Sequence, residues 1–190
     1  MTSKVFIIAG PSGVGKTYLA NTLLERYPDS FIVPNLVTTR SRRPGEVLVD
    51  RQCVSKETFD VMRANGDFTI AQEFNSNWYG FPRDMLVPKD RHVVANAWPA
   101  LVPEFAELPN IVFVGLRATP DNQVLLRERM LRRGDSQMVV AERMIRVKID
   151  LDDLEVVRDT IAQRGRIFTV DDDTTIPEQV IPWIVSQAGL

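Results

Sequence analysis

Five consecutive apolar residues, Val5-Phe6-Ile7-Ile8-Ala9, run directly into the glycine-punctuated stretch Gly10 to Gly15. A continuous apolar run of this length suits a parallel strand buried on both faces, and the glycines end it. From Thr17 the apolar positions change period: Leu19, Leu23 and Tyr27 recur every four residues and Ala20 and Leu24 widen the same face, which predicts an amphipathic helix stopped by Pro28. His92 to Ala97 and Ile111 to Leu116 are two more β-rich runs. Thr119, Pro120 and Asp121 supply an N-cap, a proline at the first helical position and an acid at the positive helix end, predicting a helix to Gly134. Ser136 opens another helix carrying Val139, Val140, Met144 and Val147 and continuing with breaks to Gln163. Arg166 to Val170 then forms a last strand, and Pro177 starts a terminal helix. Strands alternating with helices predict one α/β domain around a mostly parallel sheet.

The stretch from about 35 to 88 has a different texture. Extended segments are broken by Pro34 and by Arg43-Pro44-Gly45, Ser55 is placed to cap a short helix ending at Asn65-Gly66, and Phe68 to Phe74 reads as a strand before the turn Asn75-Ser76-Asn77. This predicts a small, mixed, strand-rich insertion into a core formed by 1–34 and 89–190. No repeat or linker marks a second domain.

Composition sharpens this picture. With 190 residues, 44% hydrophobic and 25% charged, the chain reads as one soluble globular domain. Cys53 is the single cysteine, so no intrachain disulfide forms, and the chain fits a reducing compartment. Absence of a targeting signal or of an 18-residue apolar run makes the cytoplasm the expectation, with no membrane partner. A net charge of −2 argues against a general nucleic-acid binder. Of the 23 cationic side chains 18 are arginine, whose planar fork matches phosphate oxygens bidentately.

Candidate chemistry begins at Gly10-Pro11-Ser12-Gly13-Val14-Gly15-Lys16-Thr17, which matches GxxxxGK[ST]. In isolation the pattern also occurs in glycine turns, but here a buried strand precedes it and an amphipathic helix follows. The glycines let backbone N–H groups turn toward phosphate oxygens at a helix N-terminus. Lys16 is placed to reach the β- and γ-phosphates and Thr17 to offer its hydroxyl to Mg²⁺. This makes ATP and Mg²⁺ the expected cofactors. An acid ending a buried strand is the usual second metal anchor, and the candidate strand instead ends Val94-Ala95-Asn96-Ala97.

Thr38-Thr39-Arg40 and Arg42-Arg43-Pro44-Gly45-Glu46 lie in the insertion, where two arginines three apart can clamp one phosphate. With the glycine loop, this segment resembles the guanylate kinases, whose sequences carry GPSGxGK[ST] followed by TTRxxRxGE. Phe31, Val54-Ser55, Phe59, Phe68, Trp78-Tyr79-Gly80, Arg129, Arg133-Gly134, Arg143 and Val170-Asp171-Asp172-Asp173 fall in the family's order. The resemblance implies a P-loop three-layer fold, an acceptor-binding insertion and a helical lid over about 127–148. It implies that Gly10, Ser12, Gly13, Val14, Gly15, Lys16 and Thr17 bind the donor nucleotide, that Arg129, Arg133 and Arg143 come from the lid, and that Asp171 touches the ATP base. Arg40, Arg43 and Tyr79 become acceptor-phosphate binders.

Five places depart from the family's pattern. Leu36 stands for a serine, Ile70 for a glutamate that accepts from guanine, and Phe81 for a hydroxyl. Arg51 takes the place of a phosphate-binding tyrosine, and acids are missing around Asn96. Phosphate-binding cations are kept while base-reading groups become apolar. The expected function is therefore an ATP-dependent phosphotransferase acting on a small phosphorylated acceptor. A nucleoside monophosphate is the family default, guanine selectivity is weak, and Leu36, Ile70, Phe81 and Asn96 sit on the acceptor side. A ribose 1,5-bisphosphate type of sugar phosphate kinase, or a phospholigand-binding module without catalysis, are the alternatives. Either a monomer or a homodimer is compatible.

Overall fold

In the computed structural model the described residues are 3–42, 51–74, 76–86, 90–119, 122–132 and 134–190. Arg43 and Arg133, together with Pro44, Gly45, Glu46, Asn75, Pro120 and Asp121, lie outside them.

The first apolar run is β1 (Val5–Ala9), buried along its whole length, and it is followed by α1 (Lys16–Arg26), β2 (Phe31–Ile32), β3 (Leu36–Thr38) and β4 (Arg51–Cys53). Next come α2 (Lys56–Ala64), β5 (Phe68–Phe74), β6 (Asn77–Pro82), β7 (His92–Ala97), α3 (Val102–Ala106) and β8 (Ile111–Arg117). The chain ends with α4 (Gln123–Arg132), α5 (Gln137–Val156), α6 (Arg158–Arg164), β9 (Gly165–Thr169) and α7 (Ile181–Ala188). Ser136 caps α5 by accepting the Val139 N–H, and the helical stretch is broken at Val157, between α5 and α6, in keeping with the breaks expected before Gln163. A π-helical turn, Ile176–Val180, precedes α7.

β2-β7-β1-β8-β9 form a five-stranded parallel sheet, so the fold is the expected α/β class. Ala9 pairs with Ala97 on one side and with Gly115 on the other, which aligns the carboxyl ends of the three central strands. Strand alternation divides the core. Phe6, Ile8, Val94 and Val114 pack with Leu19 and Leu23 of α1, Met130 of α4 and Val140 and Val147 of α5. Val5, Ile7, Ala95, Ala97 and Phe113 face the other way, against Leu101, Val102, Phe105, Leu154 and Ile161. This gives three layers, helix on sheet on helix.

The remaining strands make a second sheet in the order β4-β3-β6-β5, where β3 and β4 run parallel and β6 lies antiparallel to both β3 and β5. Ser55 caps α2 by accepting the Thr58 N–H, and α2 sets Phe59 against Phe68 with ring centroids 4.7 Å apart. Gly80 is required by that packing, since a Cβ there would lie 2.5 Å from the Phe68 ring. Leu36, Ile70, Phe81 and Leu86 join the second core cluster, so the small sheet is attached to the large one by apolar burial. A fully buried phenylalanine such as Phe81 contributes about 2–3 kcal/mol to that attachment. Among the described residues no helix is long and apolar enough to cross a membrane.

Candidate active site

The loop between β1 and α1 has Gly13 at φ 81° and Gly15 at φ 113°, left-handed conformations that a side chain would strain. At Gly15 a Cβ would also meet Ile176 Cδ1 at 2.4 Å, so the π-helical turn packs directly on the loop. No acid occupies the first turn of α1, which leaves its positive end unopposed. Lys16 Nζ donates to the carbonyls of Gly10 at 2.7 Å and Pro11 at 2.9 Å, folding the side chain back across the loop.

A cleft of about 670 Å³ opens in front of this loop, across the carboxyl ends of the parallel strands, where open α/β sheets bind ligands. Ser12, Gly13, Gly15, Lys16 and Thr17 form its floor. Leu36, Arg40, Arg51 and Tyr79 reach it from the small sheet, Asn96 from the end of β7, and Arg129 and Arg143 from α4 and α5. Twelve of the residues singled out from sequence are thus brought around one cavity.

Five others are placed elsewhere. Gly10 and Val14 are buried beneath the loop, with the Val14 side chain in the core and its N–H donating to the Pro11 carbonyl at 3.4 Å. Asp171 is exposed outside the cleft lining, and its Oδ1 accepts from Asn122 Nδ2 at 2.9 Å. The expectation that Leu36, Ile70 and Phe81 sit together on the acceptor side needs correction. Leu36 lines the cleft, whereas Ile70 and Phe81 point into the apolar cluster between the two sheets. The alternation of β5 and β6 turns both side chains to the face covered by Leu101 and Phe105.

The arginines have acidic and backbone partners. Arg129 pairs with the Asp173 carboxylate and donates to the carbonyls of Gly13 and Asp172, both at 3.5 Å, linking α4 to the glycine loop and to the turn after β9. That turn is shaped by Asp172, whose carboxylate accepts from Thr174 Oγ1 and N–H and from the Thr175 N–H; these bonds, the Thr174 hydroxyl's foremost, hold it below the usual carboxylate range. Arg143 Nη1 donates to Asp135 Oδ2 at 2.7 Å, with both side chains largely buried at the α4–α5 junction. Arg40 donates its N–H to Thr38 Oγ1 and its Nη1 to the Ser41 carbonyl.

The cleft wall next to the small sheet holds an aromatic group. Trp98 stacks on Phe74 at 4.3 Å and meets Tyr79 edge-on at 4.6 Å, and the Arg146 guanidinium lies 4.5 Å over the Phe74 ring. Asn96 Oδ1 is buried here with no hydrogen-bond partner among the described residues.

Asp150 opens the acidic stretch Asp150 to Glu155, yet it does not lie on a solvated face. It is only 2% exposed, lines the cleft, and its Oδ1 accepts from Arg146 Nε at 2.9 Å. Burial pushes its carboxyl up, while the positive charges of Arg146 and Lys16 act in the opposite sense. The signal was present in the spacing: Val139, Arg143, Arg146 and Asp150 are separated by four, three and four residues, one face of a helix. Arg146 and Phe74 were missed too, because neither belongs to a recognisable motif.

A buried strand, a glycine loop whose lysine heads the next helix, and a cleft bordered by arginines define a P-loop phosphotransferase. The family model described as guanylate kinase matches residues 2–163. The chain is 32% identical over 171 residues to the guanylate kinase of Nostoc sp., covering 84% of each chain. To that of Idiomarina loihiensis it is 34% identical over 154 residues, covering 77% of this chain and 72% of the relative. A crystal structure of guanylate kinase from Anaplasma phagocytophilum shares the fold, with TM-score 0.69 and 21% identity over 98% of this chain and 87% of that one. The chain belongs to the guanylate kinase family and is a kinase of that type.

Proposed function

We propose that the enzyme transfers the γ-phosphoryl group of MgATP to the phosphate of a small phosphorylated acceptor, for which guanine is not the recognised group. The observation that carries this is the disposition of one cleft. Lys16 and Thr17 lie on its floor, and Arg40, Arg51 and Tyr79 come in from the small sheet. Phosphoryl transfer needs positioning and positive charge more than covalent participation, and two phosphates brought between these groups meet both needs.

In this reading Lys16 leaves the Gly10 and Pro11 carbonyls for the donor's phosphates. Arg40, Arg43, Arg51 and Tyr79 hold the acceptor's phosphate. Residues 127–148 close as a lid, with Arg129, Arg133 and Arg143 stabilising charge that develops on the transferred group and excluding water that would hydrolyse ATP. Asp171 borders the base of ATP. Mg²⁺ is a hard cation that takes oxygen ligands and keeps several waters. The Thr17 hydroxyl and the unpartnered, buried Asn96 Oδ1 are donors of that kind on the cleft. When bound, the ion neutralises phosphate charge.

Weak guanine selection follows from chemistry at three positions. A carboxylate and two hydroxyls that would pair a base edge are here Ile70, Leu36 and Phe81, and each polar group of the base left unmatched costs about 1–3 kcal/mol. The burial of Ile70 and Phe81 between the sheets favours a second reading, in which the acceptor is a sugar phosphate with no base, of the ribose 1,5-bisphosphate type.

ADP formation from MgATP, measured with GMP, other nucleoside monophosphates, ribose 1,5-bisphosphate and no acceptor, tests this. The expected result is little turnover with GMP and clear turnover with another phosphate. Preferred use of GMP overturns the reading of the three apolar positions. Absence of both turnover and ATP binding would favour a phospholigand-binding module.

A further inference from the structure

We propose that Asp150, projecting from α5, is the carboxylate that orients the hydration shell of the nucleotide-bound Mg²⁺, in partnership with Asn96. The proposal rests on the MgATP reading above and assigns that site its missing acid.

β7 ends Ala95-Asn96-Ala97 and carries no carboxylate at its carboxyl end. No group of three histidine, cysteine, aspartate or glutamate side chains suited to a metal occurs among the described residues. Any protein carboxylate for the ion must therefore act nearly alone, which Mg²⁺ accepts because phosphates and waters fill the rest of its shell.

Asp150 is placed for this. α5 packs on the turn Pro99–Leu101 that directly follows β7, so a residue on its cleft face reaches the end of that strand from outside it. Asp150 lines the same cavity as Lys16, Thr17 and Asn96, and its carboxyl feels the Lys16 charge. The small side chains of Ala95 and Ala97 leave the strand end without an acid of its own.

Two further facts separate this role from a structural ion pair. Arg146 has a second carboxylate, Asp153, 3.6 Å from Nη2, so the guanidinium keeps an acidic partner without Asp150. The Asp150 side chain is 3% exposed against 26% for Arg146, a cost of desolvation that one neighbouring cation only partly offsets. Asn96 Oδ1, also buried and unpartnered, is an oxygen for which a metal-bound water supplies the missing donor.

The test is calorimetric titration with the β,γ-imido analogue of ATP, without and with Mg²⁺, on the full chain. The wild type is expected to bind the analogue more tightly with Mg²⁺. Asp150→Asn, which can still accept from Arg146, is expected to bind it equally well without Mg²⁺ and to lose about tenfold of the Mg²⁺-dependent gain. Asp150→Glu should restore part of the gain, and Arg146→Gln should keep it. Mn²⁺ affinity of the analogue complex, read by electron paramagnetic resonance, should fall in parallel; if Asp150→Asn does not fold, Asp150→Ser takes its place in both measurements. A full Mg²⁺ gain in the aspartate variants overturns the proposal, as does an equal loss in Arg146→Gln. Failure of the wild type to bind the analogue in either condition overturns the MgATP reading first, and this proposal with it.

Discussion

Phe81 meets Phe105 edge-on with ring centroids 4.9 Å apart, which puts a position that resembles a guanine-reading hydroxyl of the family inside the contact between the two sheets. Ile70 is buried in the same cluster. The attachment of the small sheet therefore uses side chains at positions that the family resemblance would turn toward the acceptor.

Restoring polar groups at these positions is expected to damage the fold before it creates a guanine site. Phe81→Ser removes a fully buried ring and should cost about 3–5 kcal/mol. Ile70→Glu adds a carboxylate to an apolar cluster and should be worse unless it stays protonated. Urea unfolding midpoints should fall in both variants, while kcat/KM for GMP stays at the wild-type value. A GMP activity that rises at an unchanged midpoint would show that these side chains do face the acceptor.

Donor and acceptor contacts are separable by kinetics. Lys16→Ala removes the ammonium from the floor of the cleft, and turnover should fall by three orders of magnitude or more with every acceptor, as for loss of a main charge stabiliser. Arg40→Ala should raise KM for the acceptor by about 30- to 100-fold, the worth of a charge-assisted hydrogen bond, with KM for ATP nearly unchanged. Initial-rate measurements with each substrate varied in turn decide this. Equal effects of Arg40→Ala on both substrates would remove it from the acceptor side.

The central strands and the helices flanking them were legible because each carries one period. The continuous run at β1, the four-residue spacing of Leu19 and Leu23, and the caps at Ser55 and Ser136 are local signals, and the structure has each element there. The glycine loop was legible for the same reason. Facing direction was harder. Ile70 and Phe81 look like pocket residues by position in a motif, yet which side of a strand meets the core depends on what lies across from it, here Leu101 and Phe105 from 20 or more residues away. Asp150 was hidden by composition, since it opens an acidic run whose later members Asp152 and Glu155 are exposed. Only helical phase separates it from them.

Arg143 and Asp135 hold the α4–α5 junction through their 2.7 Å bond. Asp135→Asn keeps an acceptor but removes the charge, and Asp135→Ala removes both. If Arg143 acts on the transferred group, kcat should fall in the order wild type, asparagine, alanine, by on the order of 10- to 100-fold for alanine, because misplacement by about an ångström suffices. KM for ATP should change much less. A change in thermal midpoint without any in kcat would make the pair purely structural.

Two buried titrating groups give stability opposite dependences on pH. Burial raises the Asp150 carboxyl above its ordinary value of 3.8, so its ionised form is less welcome in the fold than in the unfolded chain. The stability it contributes is fully present below 3.8 and is lost as pH rises through the folded value. His92 behaves in the reverse sense. Its Nδ1 accepts the Lys4 N–H at 3.0 Å, and burial first, then the Lys4 charge, lower it below 6.5. Stability tied to neutral His92 is present above 6.5 and is lost as pH falls from there toward the folded value. Urea midpoints from pH 4 to 8 separate the two. Asp150→Asn should gain on the wild type as pH rises and approach it in acid. His92→Asn, which keeps an acceptor where Nδ1 stood, should flatten the loss below pH 6.5. Parallel profiles for wild type and Asp150→Asn would mean that Asp150 titrates alike in the folded and unfolded chain, against the burial seen here.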